Sequence, residues 1–256
     1  MELSLDQKLF VVTGATSGFG KAIAESLIKE GAHVIINARG RENLEEFGEQ
    51  YKNQTTILCG DITTDATISQ LTRMLSGKIL DGALINAGGP PAKSFISSEL
   101  ADWDHAYQHI LRWKVKITKE LLGLFQKQNY GRLLFIESAS VLQPIDNLVL
   151  SNSLRMAVVG FVKTLSQEVA DNNITANILA PGYHATPAME RLFIHKSQLL
   201  GISPEAAKME FLTDVKSGEL GDPKDLASLA VWLLSPLSKY VTGQTISIDG
   251  GLIKGI

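Results

Sequence analysis

Three glycines near the amino terminus, Gly14, Gly18 and Gly20, have a spacing that suits phosphate binding. They follow an apolar, β-branched run at residues 9–12, and a helical pattern of apolar residues follows them. A strand, a glycine turn and a helix in this order bring backbone N–H groups and the positive end of a helix dipole up to an anion. The pattern therefore predicts that this turn holds the diphosphate of a dinucleotide.

The end of the second predicted strand carries the residues that choose between two such cofactors. Proteins that bind NAD usually place a carboxylate here, where it accepts hydrogen bonds from the ribose hydroxyls. Ala38 occupies the position and Arg39 follows it. Because a guanidinium pairs with a 2′-phosphate, NADP(H) is favoured over NAD(H), unless Arg39 only faces solvent. Asp61, after the third predicted strand, either meets the adenine amino group or caps the next helix.

Composition argues against several other classes of protein. The chain has 256 residues, of which 45% are hydrophobic, and a formal net charge of −3. This balance gives no electrostatic basis for binding nucleic acid or an anionic membrane surface, and no apolar run approaches the ~20 residues that cross a bilayer. Cys59 is the only cysteine, which excludes an intrachain disulfide and points to a reducing compartment. The five histidines form no metal-binding motif, so we expect no metal site.

Short apolar runs alternate with amphipathic helical patterns along the chain. The runs are apolar on both faces, as buried parallel strands are. The alternation predicts one α/β domain over residues 1–256, built on a doubly wound parallel sheet with right-handed crossovers. The predicted strands are 8–12, 33–37, 55–59, 82–86, 132–137, 175–179 and 244–248. The predicted helices are 21–30, 42–52, 65–75, 101–128, 150–170 and 223–234.

Residues 183–220 interrupt this alternation with two further helical patterns. Open α/β sheets bind ligands beyond the carboxyl ends of their strands, and this segment follows such an end. The segment is therefore a candidate lid over the site, or else a packing insert or a subunit contact.

Several of these segments match one family in order and spacing. They are residues 13–20 (TGATSGFG), Asp61, residues 86–88 (NAG), Ser138, residues 181–182 with Thr186, and residues 243–251. On these motifs the chain resembles the short-chain dehydrogenases/reductases over nearly its full length. It is most similar to their β-ketoacyl-acyl-carrier-protein reductase branch. The resemblance implies a Rossmann-type fold with strand order 3-2-1-4-5-6-7, helices on both faces of the sheet, a nicotinamide cofactor and a homotetramer.

The resemblance also implies which residues hold the cofactor. Asn86, Ala87 and Gly88 would lie along the adenosine ribose, whereas Pro181, Gly182 and Thr186 would hold the nicotinamide. With the glycine turn and the specificity positions included, the expected cofactor-binding residues are Gly14, Thr16, Ser17, Gly18, Phe19, Gly20, Arg39, Asp61, Ile62, Asn86, Ala87, Gly88, Arg155, Pro181, Gly182 and Thr186.

The catalytic positions of the family are largely changed in this chain. The family uses Ser, Tyr, Lys and a helix Asn; counted from Ser138, the tyrosine position holds Ser151 and the lysine position holds Arg155. The asparagine position holds Ile110. Ser151 and Arg155 are four residues apart, so they share one face of a helix. Arg155 can donate to ribose hydroxyls but cannot shuttle a proton, and Ser151 is a weaker acid than tyrosine. Ser138 is expected to donate to the substrate oxygen.

Three further side chains have two interpretations each. Tyr183 follows the turn that should meet the nicotinamide; it is a replacement acid whose pKa Arg155 would lower, or else a wall of the pocket. Glu137 should point to the opposite face of its strand from Ser138, and we expect a buried acid paired with a base rather than a proton donor. The basic stretch formed by Arg112, Lys114, Lys116 and Lys119 is expected to be a solvated face, or a docking site for an acidic carrier protein.

These residues favour an NADP(H)-dependent oxidoreductase acting on a small carbonyl or alcohol substrate, with Ser138, Ser151, Arg155 and Tyr183 forming a non-standard proton-donor site. The alternative is a catalytically silent protein that binds the nucleotide as a sensor or scaffold. We expect a cytoplasmic homo-oligomer, either a tetramer or a dimer, that binds neither nucleic acid nor membrane.

Overall fold

A seven-stranded parallel sheet forms the centre of the computed structural model, which describes residues 2–255. Along the sheet the strands lie in the order β3-β2-β1-β4-β5-β6-β7. The order reverses between β1 and β4, and in open α/β sheets ligands bind in the crevice beyond such a switch point. The strands are β1 (Leu9–Thr13), β2 (His33–Ala38), β3 (Thr55–Cys59), β4 (Gly82–Ile85), β5 (Gly131–Ile136), β6 (Ile174–Pro181) and β7 (Thr245–Ile248).

Helices cover both faces of the sheet. They are α1 (Gly18–Lys29), α2 (Arg41–Gln50), α3 (Asp65–Met74), α4 (Leu100–Ala106), α5 (Trp113–Gln128), α6 (Val149–Glu168), α7 (Pro187–Leu200), α8 (Pro204–Leu212) and α9 (Pro223–Leu234). A π-helical segment, Tyr107–Arg112, joins α4 to α5. The predicted helix 101–128 is therefore interrupted, and π segments of this kind occur often at functional sites.

Alternation along the strands divides the core into two layers. Val11 packs with residues of α3, α5 and α6, whereas its neighbours Phe10 and Val12 pack with residues of α1, α2 and α9. All three are fully buried. Because successive strand residues point to opposite faces, a run that is apolar at every position is what a sheet covered on both sides requires.

The predicted fold class and strand order are confirmed. The seven strands lie within two residues of their predicted bounds, and α7 and α8 account for the two extra helical patterns in residues 183–220. Among the helices of residues 2–255, none is long and apolar enough to cross a membrane.

Candidate active site

A cavity of about 650 Å³ opens beyond the carboxyl ends of the strands, at the switch point between β1 and β4. Its volume lies within the ~300–1,000 Å³ range of ligand pockets. Its walls come from the turn after β1, the ends of β2 to β5, the π-helical segment and the first turn of α7. Of the expected cofactor-binding residues, all except Gly20, Pro181 and Gly182 line it.

The start of α1 faces this cavity, and no capping side chain accepts a hydrogen bond from its first backbone N–H groups. Ser17 is the N-cap residue, but its side chain makes no capping hydrogen bond, and the first turn has no acidic residue. By contrast, α3, α7, α8 and α9 each begin with a side-chain oxygen that accepts from a backbone N–H. Unpaired N–H groups and the positive helix end form a natural binding place for a diphosphate.

Close approach of backbone to backbone shapes this turn. A Cβ on Gly20 would overlap the carbonyl oxygen of Gly14, so only glycine fits where α1 crosses the end of β1. Gly14 itself has φ of +66°, a conformation that other residues rarely adopt. Gly20 thus supports the site from behind, which explains why it does not line the cavity.

The ends of β1 and β4 are joined by a compact hydrogen-bonded unit. The Thr13 hydroxyl donates to the Asn86 carbonyl oxygen at 2.7 Å, and the Asn86 N–H donates back to the hydroxyl at 2.7 Å. This unit holds Asn86, Ala87 and Gly88 at the cavity wall, and the Asn86 amide lies beside Gly14.

One end of the cavity is lined by Arg39 and Asp61. The Asp61 carboxylate accepts from the Thr63 N–H and hydroxyl at 3.0 and 2.8 Å. Burial alone would raise the pKa of Asp61, but these hydrogen bonds and the Arg39 charge leave it below its usual value. The N-cap of α3 is Thr64, so Asp61 organises a turn before the helix rather than capping it.

The other end of the cavity is lined by Glu137 and Arg155. Glu137 follows β5, and its side chain is fully buried. Its Oε2 accepts from Arg155 Nη1 at 2.8 Å, while its Oε1 accepts from Lys114 Nζ on α5. The expectation that Glu137 is a buried acid paired with a base is therefore correct, and it has two such partners.

Ser151 lies within this network. Arg155 Nε donates to Ser151 Oγ at 3.0 Å across one turn of α6. Because that oxygen accepts from the guanidinium, the Ser151 hydroxyl hydrogen is left to point elsewhere. A Cβ on Gly89 would come within 3.1 Å of Arg155 Nη2, so glycine at this position leaves that edge of the guanidinium open to the cavity.

Of the expected catalytic residues, Ser138, Ser151 and Tyr183 lie beside the cavity, and Arg155 is the one in its lining. Ser138 Oγ accepts from the Ser140 N–H at 3.1 Å and caps a short 3₁₀ turn, Ala139–Val141. Tyr183 packs edge-on against Phe211 of α8, with ring centroids 5.2 Å apart. Burial and the charge of Asp214 raise the pKa of Tyr183, whereas the sequence suggested that Arg155 would lower it.

The expectation for Lys114 is wrong. It is only 2% exposed, so it neither forms a solvated face nor docks a carrier protein. The missed signal is spacing: Lys114 lies on the stripe of α5 and the π segment that carries the buried residues Ile110, Ile117 and Leu121. A charged residue on such a stripe needs a buried partner, and Glu137 is the acid available.

Three basic side chains outside the predicted site also line the cavity, and one of them, His109, was expected from its helix phase to point elsewhere. His105 and His109 stack with ring centroids 3.9 Å apart, and His109 Nδ1 donates to the His105 carbonyl oxygen at 2.8 Å. Arg191, on α7, lines the cavity from the side of the candidate lid. Residues 2–255 hold no cluster of three or more His, Cys, Asp or Glu able to bind a metal ion.

Comparison with known proteins assigns the family. A family model described as enoyl-(acyl carrier protein) reductase matches residues 14–253. The chain belongs to the short-chain dehydrogenase/reductase family. This confirms the resemblance inferred from the motifs, and with it membership of a family of oxidoreductases.

Individual relatives span the whole chain. A 3-oxoacyl-acyl-carrier-protein reductase of Aquifex aeolicus is 27% identical, with 98% of this chain and all of the relative covered. The corresponding Haemophilus influenzae reductase is 30% identical over 96% of this chain and 98% of its own length. Among solved structures, an actinorhodin polyketide ketoreductase variant with NADPH is similar at a TM-score of 0.92 and 28% identity. That match covers 98% of this chain and 99% of the ketoreductase.

The contact between Gly14 and Gly20 generates a test of the site. In Gly20→Ala the new methyl group forces the turn away from α1, so we expect NADPH binding by calorimetry to weaken at least tenfold. Overpacking of this kind also destabilises a fold by about 1–3 kcal/mol. The control is Gly160→Ala, since a Cβ there meets no heavy atom within 4 Å. Equal NADPH affinity in both variants would contradict the placement of the diphosphate.

Proposed function

We propose that this protein is an NADP(H)-dependent oxidoreductase that interconverts a carbonyl compound and its alcohol, with Ser151 and Arg155 replacing the tyrosine and lysine of its family. The observation that carries the proposal is the Ser151–Arg155–Glu137 network at the inner end of the cavity. The expected cofactor-binding residues run along the same cavity to Arg39 at the other end. The related ketoreductase with NADPH supports the choice of cofactor.

The residues present fit a dinucleotide phosphate. The uncapped start of α1 offers N–H donors to a diphosphate, and Arg39 offers a cation for a 2′-phosphate. Arg155 offers Nη2 to the nicotinamide ribose, and Thr186, which caps α7, lies at the same wall. NADP(H) is therefore favoured, and NAD(H) remains the alternative.

When bound, the cofactor would supply hydride to the carbonyl carbon. As hydride reaches that carbon, negative charge develops on the carbonyl oxygen, and Ser151 donates its hydroxyl proton to it. The hydrogen bond from Arg155 Nε to Ser151 Oγ stabilises the charge that then remains on the serine oxygen. Ser151 recovers a proton from water. Ser138 assists by donating a hydrogen bond to the same carbonyl oxygen.

Tyr183 and residues 183–220 would close the site rather than supply its proton. Tyr183 packs on Phe211, and Phe193 of α7 packs on the same ring at 5.4 Å. The aromatic group joins the loop after β6 to α7 and α8, and the first turn of α7 lines the cavity. This arrangement supports the lid interpretation of the segment.

The rival function is a nucleotide-binding sensor or scaffold without turnover. Both functions require NADPH binding, but only the enzyme oxidises NADPH when substrate is added. The two functions are distinguished by the loss of absorbance of the reduced nicotinamide when candidate substrates are added. The panel comprises 3-oxoacyl thioesters, since two relatives are 3-oxoacyl-acyl-carrier-protein reductases, together with simple ketones and quinones. NADPH binding with no turnover on any member would favour the scaffold.

Ser151→Ala tests the proton donor. Losing a positioned general acid typically lowers a rate by about 10²–10⁴-fold, so we expect kcat to fall by at least 10²-fold. NADPH affinity should stay within about twofold, because the diphosphate and 2′-phosphate contacts are untouched. Ser153→Ala, on the exposed side of the same helix, is the matched control. If kcat is unchanged in Ser151→Ala, Ser151 is not the donor.

Arg39→Ala tests the choice of cofactor. Hydrogen bonds to charged groups contribute about 1.5–3 kcal/mol, so the affinity for NADPH should fall about 10- to 100-fold while that for NADH changes little. Fluorescence titration with each cofactor measures the difference. Arg41→Ala removes a neighbouring cation that pairs with Glu45 at the surface and should leave both affinities unchanged. An equal loss for NADPH and NADH would refute the role of Arg39.

The expectations of a homo-oligomer and of a cytoplasmic location stay predictions. Sedimentation velocity of the purified protein distinguishes a dimer or tetramer from a monomer.

A further inference from the structure

Lys114 is a charged side chain in the interior, one helix away from the proposed proton donor. It lies in the second position of α5 and is 2% exposed. Its ammonium group donates to one oxygen of Glu137, whose other oxygen accepts from Arg155 at 2.8 Å. Two cations from different helices thus share a single carboxylate at the end of β5.

The charges in this group do not cancel. With Lys114 protonated, two positive charges face one negative charge, and the group carries one net positive charge. With Lys114 neutral, the charge of Arg155 is balanced by Glu137 alone. Inside a protein, one unit of charge changes the electrostatic potential at neighbouring groups strongly, because screening by water is weak.

We infer that Lys114 is a positioning residue that sets, through Glu137, how much positive charge Arg155 presents to Ser151 and to the ligand in the cavity. The inference deepens the proposed function and rests on it. Lys114 is buried behind the cavity and is not part of its lining. Its protonated form strengthens the support that Arg155 gives to negative charge on Ser151, and its neutral form weakens that support.

The surroundings of Lys114 make its charge adjustable. Desolvation by burial lowers the pKa of Lys114 to about 8, although the attraction of Glu137 opposes this shift and Arg155 adds to it. Lys114 is therefore charged below about pH 8 and neutral above it. A lysine exposed to water would stay charged to about pH 10.

Other charged and titratable groups around α5 are engaged elsewhere. Asp65 on α3 is held by Arg112 and Lys116 at 2.9 Å each, on the solvent side of the helix. His109 lies on the π-helical segment and lines the cavity. The Trp113 ring centroid lies 5.9 Å from the Lys114 nitrogen. The ionisable groups coupled to Lys114 are thus Glu137, directly after β5, and Arg155 on α6.

The test compares kcat/KM for NADPH-dependent reduction from about pH 6.5 to 9.5, on both sides of the lysine titration. For the wild type we expect a break near pH 8 followed by a decline. In Lys114→Met, kcat/KM at pH 7 should be about tenfold lower and its pH profile should show no break, because methionine carries no charge at any pH. Lys114→Arg should restore the rate at pH 7 and move the break beyond the range, since arginine stays charged.

Lys119→Met is the matched control. Lys119 lies on α5 but is exposed, so its loss removes a lysine charge from the same helix without touching Glu137. Its pH profile should match that of the wild type. Thermal unfolding of each variant shows that the proteins compared are folded.

A second measurement needs no turnover. In the cofactor-free protein, the NMR signal of the Arg155 Nε–H, which donates to Ser151, should shift with a midpoint near pH 8. The shift should vanish in Lys114→Met and persist in Lys119→Met.

The outcomes separate this inference from the proposed function. A break retained in Lys114→Met, whether at an unchanged or a uniformly reduced rate, overturns the inference and leaves Lys114 as a packing residue. The absence of the NMR shift in the wild type overturns it as well. If the shift is present but no substrate is turned over, the proposed function fails while the coupling of Lys114 to Arg155 stands.

Discussion

The Glu137 carboxylate, buried without access to water, constrains the inner part of this site. An isolated charge at such a position is prohibitively costly, so the carboxylate needs a paired cation and a hydrogen-bond donor for each oxygen. Lys114 meets this need from α5 and Arg155 meets it from α6. The carboxylate therefore fixes how two helices and the end of β5 meet. Removing one partner of such a group typically costs about 3–5 kcal/mol, which makes its members interdependent.

The changed catalytic positions are linked through this carboxylate. Arg155 stands where the family pattern has lysine, and Ile110 stands where it has asparagine. Lys114 lies one helical turn after Ile110, so α5 adds a second cation to the one that Arg155 keeps on α6. The site is thus a rearranged charge network, and its residues have to be considered as one set.

Much of this architecture follows from the sequence, because its signals are local. The glycine turn, the apolar runs and the alternation of strands and helices each reflect a short-range rule, and they gave the fold, the strand order and most of the cavity lining. The positions of Lys114, His105 and Arg191 at or beside the cavity were not predicted, because they depend on contacts between residues far apart in the sequence. The charged residues next to Lys114 in the sequence indicated an exposed side chain, whereas its position on the helix face determines that it is buried. The π-helical segment Tyr107–Arg112 has no comparable local signature.

The bare start of α1 has a consequence for how folding and ligand occupancy are related. Its first N–H groups have no side-chain acceptor, so the helix is incomplete as the chain alone builds it. An anion bound there supplies the missing hydrogen-bond acceptors, so its binding also stabilises the start of α1 and the turn before it. Saturating ligand should therefore raise the melting temperature, because only the native state offers this seat.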